Sequence, residues 1–167
     1  MSYRKIDLKE LSFNPFERIG KDWLLITAGD SSRYNTMTAS WGGVGVLWNK
    51  NVATVYIRPQ RYTKEFVDQS DTFSLTFFNE THREALTFCG KYSGRDYDKA
   101  KETGLTPDFD YAAPTFQEGN LVLICKKLYA QELSPNCFLD DSISKNYPNK
   151  DYHTMYIGEI LEAYIQE

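Results

Sequence analysis

The sequence predicts a mainly β, antiparallel fold: a β-barrel with inserted helices. Strand-length apolar runs outnumber helical patterns, and successive runs are often joined by turn residues instead of helical crossovers. Aromatic residues reach 15%, with 12 Tyr and 10 Phe, a load that suits pleated surfaces or the stacking of planar ligands. At 167 residues, with 41% hydrophobic and 25% charged residues, the chain fits a single packed domain over residues 1–167.

The elements follow in order. Pro15 is expected to break any long element among the first twenty residues. Residues 23–28 read as a buried strand stopped by the turn cluster Gly29-Asp30-Ser31-Ser32. Residues 34–41 read as a half-exposed strand, and the two form an antiparallel hairpin. Gly42-Gly43-Val44-Gly45 reads as a flexible corner before a strand over residues 52–58, which Pro59 ends. A short helix spans residues 63–69, with Thr63 a candidate N-cap and Tyr62 and Phe66 on one face. Residues 72–78 alternate Phe73, Leu75 and Phe77 against Thr and Ser as another strand. Helices follow near residues 82–89 and 96–103, the second with Asp96 as N-cap and Gly104 as its C′ residue. Residues 105–119, with Pro107 and Pro114, read as loop. Long strands cover residues 121–129 and 155–161, and the polar stretch 140–151 between them reads as irregular or a short helix.

Composition excludes several function classes. A net charge of −4 and a pI of about 5.3 give no global attraction to nucleic acid. No stretch approaches the roughly 18 consecutive apolar residues of a membrane helix. Residues 1–7 lack an apolar signal core, so the expectation is a cytoplasmic protein. Cys89, Cys125 and Cys137 lack Cys-x-x-Cys spacing and read as reduced, buried structural thiols. His82 and His153 lie far apart with no metal-ligand spacing, so no metal is expected. His82 reads as surface, whereas His153 directly precedes the last strand, from where it can reach a cleft. Gly43-Val44-Gly45 lacks the third glycine of a dinucleotide fingerprint, since Trp48 stands there, and no phosphate-binding Gly-x-x-x-x-Gly-Lys-Ser/Thr occurs. No Ser-His-Asp or Cys-His context suggests a hydrolase.

Three segments can carry ligand chemistry. On a strand, Asn35, Met37, Ala39 and Trp41 face one side, and Thr36, Thr38 and Ser40 the other. Small groups let the backbone approach a planar heterocycle and offer rigid donors and acceptors to its edge. From chemistry alone, a plain half-exposed strand rich in Thr is the simpler reading. Arg58, Arg61, Tyr62, Thr63 and Lys64 cluster where a strand gives way to a helix, so an anion site and a solvated basic surface stand level. Lys91-Tyr92-Ser93-Gly94-Arg95 reads as a solvated loop unless it folds towards that junction.

Taken together, NTMTASWGG (residues 35–43), IRPQRYTKEF (57–66), YSGRDYDK (92–99) and HTMYIGEI (153–160) make the chain resemble the flavin reductase-like proteins with an FMN-binding split β-barrel, in particular the flavoredoxin-type branch. The resemblance implies a homodimer with one non-covalent FMN per subunit near the dimer interface. Asn35, Thr36, Met37, Thr38, Ala39, Ser40 and Trp41 would line the isoalloxazine, largely through backbone groups. Arg58, Arg61, Tyr62 and Thr63 would surround the ribityl phosphate, and Ser93 and Arg95 would close over the same cofactor. His153 would lie near the flavin or nicotinamide. The function implied is an oxidoreductase passing electrons through FMN. It would be either an NAD(P)H:flavin reductase serving a monooxygenase or a flavoredoxin-like carrier serving another redox protein. A non-enzymatic flavin-binding sensor or store is the alternative class. A pyridoxal-phosphate-linked oxidase on a related barrel fits the motifs less well.

Overall fold

The computed structural model describes residues 2–167. In chain order the elements are β1 (Tyr3–Ile6), α1 (Pro15–Gly20), β2 (Leu24–Gly29), β3 (Tyr34–Ala39), β4 (Gly42–Leu47), β5 (Lys50–Ile57), α2 (Thr63–Gln69) and β6 (Thr72–Phe77). There follow α3 (Arg83–Lys91), α4 (Lys99–Thr103), β7 (Pro107–Asp108), β8 (Thr115–Phe116), β9 (Leu121–Glu132) and β10 (Thr154–Gln166). One antiparallel sheet runs β3-β2-β6-β9-β10-β5-β4, with β1 added to the far half of β10. The expected antiparallel, mainly β architecture with inserted helices is what the chain adopts.

Alternation on the strands builds two cores. Leu24, Ile26 and Ala28 of β2 join Met37 and Ala39 of β3, Val55 and Ile57 of β5, Phe73, Leu75 and Phe77 of β6 and Leu123 of β9 inside the curled sheet. Leu25, on the opposite face of β2, packs with Leu86 and Cys89 of α3, with Phe116, and with Leu105. Thus β2 is buried on both faces and reads as a continuous apolar run. The sheet curls where β9 and β10 slip register, between Ile157 and Gly158 and again between Ile160 and Glu162. At the first slip a Cβ on Gly158 would lie 2.7 Å from Phe73 Cζ and 3.0 Å from Cys125 Cβ. Gly158→Ala is therefore expected to lower unfolding free energy by about 1–3 kcal/mol through overpacking, read by denaturant unfolding.

Several boundaries differ from the sequence expectation. Pro15 does not break a helix; it starts α1 at the first helical position, where its missing N–H costs nothing, and Asn14 Oδ1 caps the Phe16 and Glu17 amides. The expected corner at residues 42–45 is strand β4, an edge strand whose glycines are tolerated because little packs on it. It turns into β5 through Trp48 and Asn49, both left-handed at φ +53° and +57°, the geometry of a two-residue hairpin. Asp98, not Asp96, caps α4 through the Lys101 amide, while Gly104 ends it at φ +73° as expected. Thr63 is the first helical residue of α2 instead of its cap, because Tyr62 already holds helical dihedrals. Two-residue strands β7 and β8 pair inside the expected loop, β1 adds a strand before Pro15, and β9 and β10 run longer than their apolar cores. Asp141–Asn146 is a 3-10 helix. All three cysteines are free thiols; Cys89 and Cys125 are buried, but Cys137 is exposed, contrary to expectation.

Candidate functional site

The order of the sheet leaves β3 at one end, bonded only to β2, while β5 lies near the other end. Curling brings those ends face to face without joining them. The gap is a cleft of about 220 Å³ lined by Met37, Thr38, Ala39, Ser40 and Trp41 from one side and Tyr56, Arg58, Arg61 and His153 from the other. Seven of these nine residues belong to the first two sequence motifs, and His153 to the fourth.

The polar side chains on β3 are already engaged. Thr36 Oγ1 lies 2.8 Å from Thr27 Oγ1 and donates to the Ile26 carbonyl, and Thr38 Oγ1 donates to the Leu86 carbonyl. Its backbone is a different matter. Antiparallel partners exchange hydrogen bonds at alternate residues. Lys99 Nζ reaches Thr36 O at 2.7 Å, so Thr36, and Thr38 two residues on, turn their main-chain groups away from β2. What this edge offers the cleft is main chain, with the exposed Trp41 ring (48% exposed) as an apolar wall.

Asn35, Thr63 and Gly94 form a lock beside the cleft. Asn35 Nδ2 donates to Thr63 Oγ1 at 2.8 Å, and both residues are buried. A Cβ on Gly94 would fall 1.9 Å from Asn35 Oδ1, so only glycine lets this loop lie on β3. Asn35, Thr36 and Tyr62 border a second hollow of about 320 Å³ with Arg33, Gly94 and Lys99; Thr63 lines neither hollow.

The basic junction divides its work. Arg58 pairs with Asp151 at 3.1 Å and donates to Asn146 O at 2.9 Å, and Gln60 Nε2 holds the other Asp151 oxygen at 2.7 Å. Arg58 therefore pins the segment before β10 onto the cleft. Arg61 has no carboxylate partner among the described residues; its Nη1 donates to Gly90 O at 2.8 Å at the C-terminus of α3. Burial lowers its pKa, though from a value so high that it keeps its charge. Lys99 is held likewise by Thr36 O and Cys89 O, at 2.7 and 2.9 Å, and burial pulls it down to about 8. Lys64 turns away to Asp68. The loop at residues 91–95 does fold towards this junction. Arg95 lies 4.5 Å from the Tyr62 ring centroid, donates to Glu65 at 2.6 Å, and has its amide held by Ser93 Oγ. Arg33 donates to Tyr62 Oη at 3.0 Å, so Tyr62 sits between two guanidinium-bearing residues.

His153 closes the cleft opposite β3. Its ring centroid lies 5.2 Å from Trp41 and 5.5 Å from Tyr147, and Tyr147 Oη lies 2.7 Å from its Nδ1. Burial first, and then the Arg58 charge, push its pKa down to about 4, with Asp151 opposing. The unfolded chain holds a proton on this imidazole up to its ordinary value of 6.5, so stability rises with pH between about 4 and 6.5 and falls as pH drops through that window. Relative to His153→Gln, the wild type is expected to lose about 1–2 kcal/mol from pH 6.5 to 4, less than full linkage because the ring borders open solvent. Urea unfolding at both pH values reads this. His82 lies 5.6 Å from Phe78 at the start of α3, away from the cleft.

Sequence reasoning did not single out Tyr56, Tyr147, Asp151, Arg33 or Lys99 as functional. Lys99 stood in a quoted motif, whereas Tyr147 and Asp151 lie in a polar stretch with no periodicity and come to the cleft only through Arg58.

A family model described as flavin reductase like domain matches residues 16–167. No curated protein matches the chain. Among solved structures, the chain is similar to a flavoredoxin from Methanosarcina acetivorans, at 23% identity and TM-score 0.67, covering 87% of this chain and 69% of that one. It is also similar to an FMN-binding domain of a flavin reductases-like enzyme from Shewanella baltica OS155, at 18% identity and TM-score 0.70, covering 98% and 77%. The flavoredoxin of Desulfovibrio vulgaris (Miyazaki F) aligns at 22% identity and TM-score 0.68, covering 98% and 78%. At these identities the likeness is one of fold.

Proposed function

The chain belongs to the flavin reductase like domain family, and on that premise we propose that it binds FMN non-covalently at the gap between β3 and β5 and acts as an oxidoreductase. The observation that carries this reading is the pairing, at one cleft, of a main-chain edge left open on β3 with Arg61, a guanidinium that no carboxylate among the described residues neutralises. The donor set fits the group. Rigid main-chain donors and acceptors suit the pyrimidine edge of a flavin, and Trp41 suits its apolar face. Arg61, with Arg33 and Lys99 bordering the neighbouring hollow, suits a phosphate. When bound, FMN supplies the redox chemistry. The chain's own residues orient it, and the Tyr147-to-His153 wall limits water on the side opposite β3. No side-chain acid or base is required for hydride delivery.

NAD(P)H is the proposed electron donor if the protein is a reductase. NADH oxidation with excess free FMN divides the two forms: rapid turnover marks a reductase serving a monooxygenase, and none marks a carrier serving another redox protein. A homodimer belongs to the same proposal, supported by exposed Val46 and Trp48 on the β4–β5 hairpin, with Trp48 6.3 Å from Tyr129. So does a cytoplasmic location; among the described residues no helix is long and apolar enough to cross a membrane. The purified chain is expected to be yellow, with flavin absorption bands, and to release about one FMN per chain on denaturation. A colourless protein that also fails to take up added FMN overturns the reading.

A further inference from the structure

The segment between β9 and β10 brings to the cleft a hydrogen bond that the family motifs do not include. Tyr147 Oη lies 2.7 Å from Nδ1 of His153, and Tyr147 is 7% exposed. We propose that Tyr147 is a positioning residue: its hydroxyl donates to Nδ1 and fixes His153 as the Nε2–H tautomer, a standing donor to a neutral acceptor, such as a carbonyl oxygen, placed in the cleft.

The direction of that hydrogen bond follows from counting protons. A phenol has one proton and can accept as well as donate, and a neutral imidazole has one N–H. If Nδ1–H donated to Tyr147, the phenol proton would need another acceptor, and among the described residues Tyr147 Oη makes no second side-chain or carbonyl hydrogen bond. A buried hydroxyl proton left unpaired is the costly arrangement. With the phenol donating, its proton and the Nδ1 lone pair satisfy one another. The remaining ring nitrogen, Nε2, has no hydrogen-bond partner among the described residues and belongs to a residue lining the cleft. The tautomer is assigned from this pairing.

Tyr147 is held firmly enough to impose it. Arg58 Cζ lies 4.9 Å from its ring centroid, and Phe138 stacks at 5.9 Å within 22° of parallel. Arg58 also ties Asn146 and Asp151, the residues on either side of the Tyr147 turn. His153 stays neutral near pH 7, because burial and Arg58 oppose its charge. A neutral N–H donor recognises an uncharged oxygen better than it does a phosphate, which assigns this end of the cleft to the ring or amide portion of a ligand and the Arg61 end to its anionic portion. That last step rests on the FMN reading; the tautomer does not.

The test is long-range ¹H–¹⁵N correlation on the ¹⁵N-labelled full chain as purified, which has only His82 and His153, with His82→Gln to assign the signals. Neutral His153 is expected as the Nε2–H form. Tyr147→Phe, which keeps the ring and removes the proton, is expected to lower the ratio of Nε2–H to Nδ1–H about tenfold, the worth of one hydrogen bond. An Nδ1–H wild type, or a ratio unchanged in Tyr147→Phe, overturns the proposal. Should that variant fail to fold, the wild-type tautomer alone decides. A protein that takes up no FMN ends the function proposed above and leaves this readout standing.

Discussion

Arg61→Ala is expected to weaken FMN binding by about 30- to 100-fold while leaving the sheet folded. A charge-assisted hydrogen bond to an anion is worth roughly 1.5–3 kcal/mol, and a half-buried guanidinium without a competing carboxylate gives the upper part of that range. Arg61 is such a group; its partners are the carbonyls of Gly90 and Cys89, not acids. Arg58→Ala is the informative contrast. Arg58 is neutralised by Asp151 and spends its donors on the segment before β10. Its loss should loosen that segment and the His153 wall more than it removes anion affinity. Arg61→Lys keeps the charge but loses the planar fork, so it should recover only part of the binding. Flavin fluorescence titration measures all three.

Gly94→Ala is expected to destabilise the protein by about 2–4 kcal/mol and to weaken FMN binding with it. The new Cβ would sit 1.9 Å from Asn35 Oδ1 and 2.8 Å from its Cγ. Asn35 is buried and its amide is committed to Thr63 Oγ1 at 2.8 Å, so it has no cheap way to yield. Either the loop lifts from β3, or a buried hydrogen bond breaks, adding about 1–3 kcal/mol to an overpacking cost of similar size. Both routes shift the cleft edge of β3, and the loop carries Arg95 away from Tyr62. Denaturant unfolding and flavin titration on the same variant measure the two effects.

How much of this was legible in the sequence depends on what each residue answers to. Strands β2, β5 and β6 could be read because their apolar pattern is set by burial on a regular lattice, and α2 because its face carries Tyr62 and Phe66 at helical spacing. Strand β4 could not: Gly42, Gly43 and Gly45 favour a turn locally, and pairing with β5 overrides that preference. Likewise, Pro15 reads as a breaker until Asn14 is seen to cap the helix it opens. At the candidate site, the sequence named segments that the fold brings to one cleft, but not the division of labour within them. The hydroxyls of Thr36, Thr38 and Thr63 offer ligand chemistry on paper, yet each already has a tertiary partner, which no pattern in the sequence announces. Arg58 and Arg61 look equivalent, and only the fold sets Asp151 beside one and gives the other carbonyl partners but no carboxylate among the described residues. Tyr147 reaches His153 from six residues away through an irregular turn, a relation no periodicity announces.

The most direct test of the central claim is backbone amide ¹H–¹⁵N shift mapping during FMN addition to the flavin-free chain. The largest changes are expected along the open edge of β3 and beyond it, at Thr36, Thr38 and Trp41, and around Arg61. Little change is expected in the charged groove between α1 and α3, bordered by Arg18 and Arg83. Shifts concentrated in that groove, or no shifts at any FMN concentration, would contradict the account.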